Sequence, residues 1–280
     1  MKSRLGFIII LICLSCNNGP VQDNGVNIDY TDSKNGDTTL LFIHGWGINK
    51  TYWTNQATYF SKNYRVVTID LPGFGNSGKN RKSWTTNDYA NDISAVITQL
   101  NLKNVILVGH SMSGAIAVEA ALNNPSKVMA IIGIDNFKNF GEPETPQSKE
   151  ETENFFKIAR TNFKATISEY VNQALFSPTT DSTVRKRVLD DILHSDTLIA
   201  LECLQQGGTS DEKVISLQKT LYLINSDVTP TDTIAFIKNK INYRLFLIHG
   251  TGHYPMIEKP NDFNLLLEQA IKTISGSKKS

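Results

Sequence analysis

The chain has 280 residues, of which 40% are hydrophobic and 9% aromatic, enough for one large α/β domain or two small ones. Its 28 basic and 27 acidic residues nearly cancel, and no basic patch with interleaved aromatic side chains occurs, so nothing indicates a nucleic-acid partner. No spacing of His, Cys, Asp or Glu is typical of a metal site, and no glycine-rich stretch opens a helix as a phosphate-binding fingerprint does. We therefore expect neither a metal nor a cofactor.

The N-terminus predicts a leader. Lys2 and Arg4 precede an apolar run at residues 5–14, which is too short to span a bilayer and has the flanks of a secretory signal. The run ends in C-L-S-C at residues 13–16, which resembles a bacterial lipoprotein signal with Cys16 as the lipidated residue.

This resemblance implies that residues 1–15 are removed and that residues 16–25 form a tether. The mature protein would then be anchored to a membrane of the bacterial cell envelope. An ordinary signal peptide cut nearby is the alternative, and it would leave a secreted or periplasmic protein.

Short apolar runs rich in β-branched residues alternate with segments of helical spacing along most of the chain. The predicted strands are residues 26–30, 40–43, 64–69, 105–108, 128–134, 220–224 and 243–248. The predicted helices of the alternating part are residues 49–62, 87–100, 114–122, 230–239 and 260–274. Residues 148–204 have helical character throughout and interrupt the alternation. The pattern predicts an α/β fold with a parallel sheet wrapped by helices on both faces, and a helical insertion.

The strand at residues 105–108 leads into Gly109-His110-Ser111-Met112-Ser113, which matches G-x-S-x-G except at its last position. An Ala-rich helical segment follows. Strand, tight turn and helix are the context in which this motif raises a nucleophilic serine above a sheet, so Ser111 is the candidate nucleophile. Ser113 stands where glycine is usual, and we expect it to be tolerated because it is small.

A serine hydroxyl needs a base to take its proton, and the base needs a carboxylate to orient it. In open parallel sheets such groups collect at the carboxyl ends of the strands. Asp227 and His253 each follow one of the last two predicted strands, and the order Ser111, Asp227, His253 belongs to this architecture. Asp135, which follows the strand at residues 128–134, is the rival acid.

Four motifs, taken together and in this order, resemble the α/β-hydrolase fold family in its lid-bearing form. They are HGW at residues 44–46, DLPGFGNS at 70–77, GHSMSG at 109–114, and GH at 252–253 followed by Pro255, Glu258 and Pro260. The resemblance extends from Val26 to the last helix. It implies a mostly parallel central sheet with helices on both faces, formed by residues 26–136 and 216–280, with a helical lid at residues 137–215.

The resemblance also implies an oxyanion hole made by the backbone N–H groups of Trp46 and Met112. The acid loop departs most from the family pattern, because Asn225 stands where a glycine is frequent. Some relatives carry the acid at the position of Asp135 instead. Asp227 is the favoured acid and Asp135 the alternative.

The function that these residues predict is a serine hydrolase that cleaves a carboxylic ester of a small acyl substrate through an acyl-enzyme. A serine nucleophile argues against haloalkane and epoxide hydrolysis, for which relatives use an aspartate. Thioesters, lactones, amides and cleavable C–C bonds stay open. The alternative from another class is a membrane-anchored binding protein that uses the same fold without turnover.

Overall fold

The computed structural model describes residues 20–206 and 211–276. The predicted leader at residues 1–15 and the predicted lipidation site Cys16 lie outside the described residues. Among those that are described, no helix is long and apolar enough to cross a membrane.

The strands form one large sheet and one small hairpin. They are β1 (Val21–Asp23), β2 (Val26–Ile28), β3 (Tyr30–Asp32), β4 (Thr39–Ile43), β5 (Arg65–Ile69), β6 (Val105–His110), β7 (Val128–Ile134), β8 (Leu221–Ser226) and β9 (Tyr243–Ile248). The large sheet has the order β3-β5-β4-β6-β7-β8-β9. Only β3 runs antiparallel to its neighbour β5, and the other pairs are parallel. The predicted parallel sheet is confirmed.

The helices follow the strands in alternation, apart from a block between β7 and β8. They are α1 (Thr54–Phe60), α2 (Thr86–Gln99), α3 (Ser113–Asn123), α4 (Pro146–Thr161), α5 (Phe163–Ala174), α6 (Ser182–His194), α7 (Thr197–Gln205), α8 (Asp211–Ser216), α9 (Ile234–Lys238), α10 (Pro255–Glu258) and α11 (Pro260–Gly276). A 3₁₀ helix at Lys50–Trp53 precedes α1. Strands β4 and β6 are buried at every residue because helices cover both faces of the sheet, which accounts for their uninterrupted apolar runs.

The hairpin of β1 and β2 begins within the segment predicted to be a tether. Val21 and Val26 are buried. The backbone N–H of Gln22 donates to Oε1 of Gln99 on α2 at 3.1 Å, and Nε2 of Gln99 donates to the Gln22 carbonyl at 2.6 Å. The structured core therefore includes residues from Val21 onward. Strands of three residues contribute too few buried positions to form a recognisable apolar run, which is why the composition of this segment was misleading.

The block between β7 and β8, residues 137–215, is called the insertion below. Helices α4 to α7 and most of α8 form it, with α4 packed against α5 and α7, and α5 against α6. Helix α8 returns to the core, where Lys213 forms an ion pair with Glu119 of α3 at 2.7 Å. The prediction of a helical insertion without strands agrees with the described residues of this block.

The sheet order places a crevice at the carboxyl ends of the central strands β4 and β6. The chain passes from β4 to β5 on one side, and then to β6 on the other side of β4. At such a reversal the loops after the two strands diverge and leave room for a ligand at the carboxyl ends. The loop after β4 and the turn after β6 both open into this crevice.

Candidate active site

Ser111 lies at the turn between β6 and α3. Its φ is +53°, in the left-handed region that costs energy for any residue other than glycine. The turn is stabilised by two backbone hydrogen bonds, from Ser111 N–H to the Ile134 carbonyl at 2.9 Å and from Gly114 N–H to the Ser111 carbonyl at 3.0 Å. The strain is therefore compensated by the neighbouring strand and by the start of the helix.

The two small residues that flank Ser111 in the motif are constrained differently. A Cβ on Gly109 would lie 2.3 Å from the Ser113 carbonyl oxygen, so no side chain fits there. Ser113 is fully buried, yet its hydroxyl has a partner, since it donates to the His44 carbonyl at 2.5 Å. The departure from glycine at residue 113 is thus accommodated by a bond to the loop after β4.

His253 lies against Ser111. Its Nε2 is 2.8 Å from the Ser111 Oγ, and its Nδ1 is 2.6 Å from Oδ2 of Asp135. An ionised carboxylate can only accept, so Nδ1 carries the proton and the lone pair of Nε2 accepts the hydrogen bond of the serine hydroxyl. The three side chains form one continuous chain of hydrogen bonds in the protonation state that a general base requires.

Asp135 is the carboxylate of this chain, at the end of β7. It is only 5% exposed, and its Oδ1 accepts the Ser226 N–H at 2.8 Å and an ion pair from Lys138 Nζ at 2.8 Å. Burial by itself would raise the pKa of the Asp135 carboxyl. The hydrogen bond from His253 and the nearby Lys138 ammonium outweigh burial and hold this pKa well below its ordinary value. Asp135 is therefore ionised at neutral pH.

Asp227, the acid favoured from the sequence, does not reach His253. Its side chain is 40% exposed, and it binds His249 Nδ1 at 2.7 Å and the Gly250 N–H at 3.4 Å. The hydrogen bond from His249 lowers the pKa of Asp227. The preference for Asp227 over Asp135 is corrected by this geometry.

The physical reason lies in the end of β8. Asn225 is fully buried and is bonded to the loop after β7, with Nδ2 on the Asn136 carbonyl at 3.0 Å and Oδ1 accepting the Asn136 N–H at 3.2 Å. The next residue, Ser226, gives its N–H to Asp135, so the strand ends there and Asp227 begins the exposed loop. The missing glycine at residue 225 was the sequence signal that this loop does not carry the acid.

The loop that carries His253 is anchored on both sides. Glu258 of α10 accepts the Gly252 N–H at 2.9 Å and the Tyr254 N–H at 3.0 Å. The same carboxylate accepts the hydroxyl of Thr180, in the insertion, at 2.6 Å. The His253 N–H itself donates to the carbonyl of Leu175, also in the insertion, at 2.9 Å. The insertion and the histidine loop are thus joined by hydrogen bonds.

The loop after β4 passes beside the nucleophile. His44 is fully buried, its Nδ1 donates to the Gly45 carbonyl at 2.7 Å, and its Nε2 accepts the Leu71 N–H at 2.9 Å, while burial lowers its pKa. A Cβ on Gly45 would lie 3.2 Å from Cβ of Ser111, which shows how near the loop comes. The indole of Trp46 donates to the Ala200 carbonyl of α7 at 2.7 Å. This loop is therefore held rigidly at the site.

Two further polar groups have structural partners. His110 is buried, its Nε2 donates to the His253 carbonyl at 2.7 Å, and burial together with the neighbouring His253 lowers its pKa to about 3. Asp70 is buried, and its carboxylate accepts two hydrogen bonds from Lys50, one from the Lys50 backbone N–H at 2.7 Å and one from the Lys50 ammonium at 2.8 Å. These contacts give Asp70 a structural role in the loop after β5.

A cavity of about 430 Å³ opens beside Ser111. Besides Ser111, His253 and Asp135, its wall includes the two residues predicted to form the oxyanion hole, Trp46 and Met112. The remaining wall is mixed: its aromatic and aliphatic members include Trp84, Tyr89, Phe137, Phe140, Tyr170, Leu175 and Leu204, and its polar members include Thr86, Asn136, Lys138, Asn139, Gln206 and Asp211. In the part of the chain that the structure describes, no group of three His, Cys, Asp or Glu side chains could hold a metal ion.

Lys138 contacts Asp135, and Glu258 contacts the histidine loop. Neither residue has a role that a sequence pattern predicts. Lys138 follows Asp135 by three residues in a loop without periodicity, so only a map of contacts shows the pair. Glu258 belongs to the motif around His253, but its partners are backbone N–H groups, and a pattern of side chains cannot predict such contacts.

Comparison with known proteins agrees with this architecture. Residues 38–260 match the family described as alpha/beta hydrolase fold. The chain is 27% identical to pimeloyl-[acyl-carrier protein] methyl ester esterase of Wigglesworthia glossinidia brevipalpis, over 85% of this chain and 95% of that protein. It is 23% identical to the dihydrolipoyllysine-residue acetyltransferase component of the acetoin cleaving system of Cupriavidus necator, over 88% of this chain and 67% of that protein.

Among solved structures, a thermophilic esterase from Thermogutta terrifontis superposes with a TM-score of 0.76 at 19% identity, covering 91% of this chain and 97% of that one. At this identity the likeness shows the fold. The family match spans more than half of the chain, and the esterases among its relatives support hydrolase activity. The chain belongs to the alpha/beta hydrolase fold family.

Proposed function

We propose that this protein is a serine hydrolase that cleaves a carboxylic ester of a small acyl substrate through an acyl-enzyme intermediate. The observation that carries the proposal is the hydrogen-bonded chain Ser111–His253–Asp135 in the wall of a cavity that is partly lined by aromatic and aliphatic side chains. In this proposal Ser111 is the nucleophile, His253 the general base and acid, and Asp135 the carboxylate that orients the histidine.

The first half-reaction follows from the protonation states. The Ser111 Oγ attacks the ester carbonyl carbon while His253 Nε2 takes the hydroxyl proton, and the carbonyl oxygen becomes an oxyanion. The C–O bond to the alcohol then breaks, and His253 returns the proton to the leaving alkoxide. Water repeats the sequence on the acyl-enzyme, which releases the carboxylic acid and restores the Ser111 hydroxyl. Asp135 stays ionised and stabilises the imidazolium in both halves.

We assign the oxyanion hole to the backbone N–H groups of Trp46 and Met112. Both residues line the cavity beside Ser111, on the loop after β4 and at the start of α3. Such donors stabilise charge that develops only in the transition state, and each removed donor costs about 3–4 kcal/mol in known cases. Their rigidity here would come from the His44 and Ser113 bonds described above.

We further propose that the insertion acts as a lid that shapes the substrate cavity. Its residues Tyr170, Leu175 and Leu204 line the wall together with aromatic residues of the core. An apolar cavity with a few polar groups at the reacting bond is typical of small-molecule sites. An apolar acyl or alcohol group would therefore be bound against the insertion.

The test is covalent labelling by an uncharged fluorophosphonate, followed by turnover of an ester, a thioester and a lactone. Stoichiometric labelling at Ser111, its absence in Ser111→Ala, and hydrolysis of the ester are the expected results. Preference for the thioester or lactone would keep the serine mechanism and change the substrate class. Folded wild-type protein that is neither labelled nor active would favour the binding-protein alternative.

We also propose that the mature protein is a membrane-anchored lipoprotein of the bacterial cell envelope, lipidated at Cys16. The support is the C-L-S-C sequence at residues 13–16 after a short apolar run. Several acyl chains give lasting attachment, whereas one chain holds a protein only marginally. Cys16→Ser should move the protein from the detergent phase to the aqueous phase or leave it unprocessed. Unchanged partitioning of the variant would contradict the anchor.

A further inference from the structure

Lys138 forms an ion pair with the carboxylate that binds His253. Its Nζ is 2.8 Å from Oδ1 of Asp135, 2.9 Å from Oγ of Ser226 and 3.2 Å from the Ser226 carbonyl. An ammonium group has three N–H donors, so these three acceptors use all of them. The side chain is 13% exposed although the residue borders the cavity. Lys138 is therefore engaged with the protein and is not free to bind an anionic group of a substrate.

The two oxygens of Asp135 are used differently as a result. Oδ1 accepts from Lys138 and from the Ser226 N–H, while Oδ2 accepts from His253. The occupied Oδ1 fixes the rotation of the carboxylate and leaves Oδ2 in place for the imidazole. In addition, the positive charge of Lys138 offsets part of the negative charge that Asp135 presents to the histidine.

Building on the proposed triad, we propose that Lys138 is a positioning residue that restrains Asp135. Its charge also keeps His253 unprotonated, and so able to accept the proton of Ser111, down to a lower pH than without Lys138. The imidazolium of His253 is stabilised by the carboxylate and destabilised by the ammonium beyond it. The ammonium acts from farther away than the carboxylate and so cancels only part of its field at the ring, which makes protonation of the free histidine less favoured than it would be beside an unpaired carboxylate. Without Lys138, acid should inactivate the enzyme at a higher pH.

Other titratable groups face the same pair and must be accounted for. His110 of β6 interacts with both His253 and Asp135, and Tyr254 in the histidine loop interacts with Asp135. Tyr170 of α5, Glu258 of α10 and Asp191 of α6 interact with Tyr254. His110 is neutral at working pH because burial lowers its pKa to about 3. Burial raises the pKa values of Tyr170 and Tyr254, so both phenols stay neutral as well. The charge of Glu258 is compensated by two backbone N–H groups and is unaffected by changes at Lys138.

The test is the rate of Ser111 labelling by an uncharged fluorophosphonate between about pH 4 and 9, which reports the protonation of the base without a substrate charge. Lys138→Met removes the charge and keeps the length of the side chain. We expect the acid limb of its profile to move up by about one pH unit, the lower end of the shifts that an adjacent charge produces. Lys138→Arg, which keeps the charge, should leave the limb near its wild-type position.

Two further variants separate charge from structure. Lys138→Gln retains a donor without the charge, so it should shift the limb as Lys138→Met does. Lys272→Met removes one positive charge from α11, where Lys272 is 70% exposed and paired with Glu268, and it should leave the profile unchanged. Folding of each variant is checked by circular dichroism and urea unfolding.

The outcomes distinguish this proposal from the one it rests on. A lower labelling rate at every pH, with the acid limb of Lys138→Met and Lys138→Gln at the wild-type position, would show a structural role only and would overturn the proposal for Lys138. An equal shift in Lys272→Met would assign the effect to net charge and overturn it too. Wild-type protein that is never labelled at Ser111 would instead overturn the proposed function, and this inference with it.

Discussion

At the scale of the residue, the carboxylate of the proposed triad is selected from two strand ends that lie side by side. Asp135 is buried, ionised and bonded to His253, whereas Asp227 is exposed and bonded to His249. The buried carboxylate selects the tautomer of the base and stabilises its positive charge. The exposed one interacts with a histidine on the surface, where screening by water leaves little energy in the pair.

Asp135→Asn should therefore lower kcat by about 10⁴, the loss known for the equivalent change in serine proteases. The amide can present a donor to His253 and so favour the wrong tautomer. Asp227→Asn is the matched control, because it makes the same chemical change one strand away and should keep most of the activity. The measurement is kcat on one activated ester, and the reverse ranking of the two variants would move the acid back to Asp227.

The proposed nucleophile and base could be located from the sequence because each is set in a motif whose neighbours are also constrained. Ser111 lies in a strand–turn–helix pattern, and His253 follows a glycine that no larger residue could replace without meeting the Leu175 and Ser177 backbone. The acid has no such local signature. Any carboxylate after β7 or β8 would satisfy the pattern, and only the buried bonds of Asn225 decide between them.

At the scale of the element, the histidine loop depends on α10 and on the insertion together. Glu258 accepts two backbone N–H groups that flank His253, and Thr180 donates to the same carboxylate. The loop has no regular structure of its own to satisfy these donors. Its conformation therefore depends on the Glu258 carboxylate of a four-residue helix, together with the bond from the His253 N–H to the Leu175 carbonyl of the insertion.

Glu258→Ala should lower kcat at least tenfold and destabilise the protein by about 1–3 kcal/mol, since it leaves buried N–H groups without a partner. Thr180→Val is the control, because it removes the hydroxyl that donates to Glu258 and accepts the Ser177 N–H at 2.9 Å, but it retains both backbone bonds of Glu258. We expect the decrease in kcat in Thr180→Val to be less than half of the decrease in Glu258→Ala. Equal losses in the two variants, measured by ester turnover and urea unfolding, would show that the contact with the insertion is what holds the loop.

Elements with strong periodicity could be predicted well, and short ones could not. The strand predicted at residues 243–248 coincides with β9, and the helix predicted at 114–122 lies within α3. The strand predicted at residues 26–30 contains β2 and the first residue of β3, whereas β1 was not predicted because three residues are too few to show a period. The insertion could be predicted to be helical, but its division into helices depends on caps such as Asp181 and Asp196, which are common residues in loops too.

At the scale of the whole molecule, the core contains two neutral histidines, His44 and His110, both with pKa values lowered by burial. The unfolded chain binds a proton at each of them below about pH 6.5, while the folded chain does not. The stability that they contribute is complete above that pH and is lost as the pH falls, by about 1.4 kcal/mol per pH unit for each residue. For His110 this loss continues down to its folded pKa of about 3.

The free energy of unfolding should therefore fall steeply between pH 7.5 and pH 5, and less steeply in His110→Gln. The glutamine amide can donate to the His253 carbonyl but does not titrate. Wild type should lose about 2 kcal/mol more unfolding free energy than His110→Gln over that interval. The difference arises in the pH range of about 1.5 units between the unfolded pKa of about 6.5 and pH 5. The measurement is urea unfolding at both pH values, and parallel losses in variant and wild type would contradict the role of His110.

The fold could be predicted because the buried parallel strands, the helical spacing and the order of four motifs agree with one another. The number and order of the sheet strands could not, since β3 pairs with β5 through contacts between residues 35 to 39 positions apart. Such pairings are decided by packing across the whole sheet rather than by any local pattern.

The two flanks of Ser111 have a consequence for how relatives of this chain are found. Gly109 meets backbone, so evolution cannot exchange it, whereas Ser113 has room for its side chain and gains a bond to the His44 carbonyl. A search pattern that insists on glycine at both positions treats them as equal and passes over chains of this kind. A pattern that keeps the first glycine and admits any small residue at the second would also match chains in which a hydroxyl bonded to the loop after β4 stands in place of the second glycine.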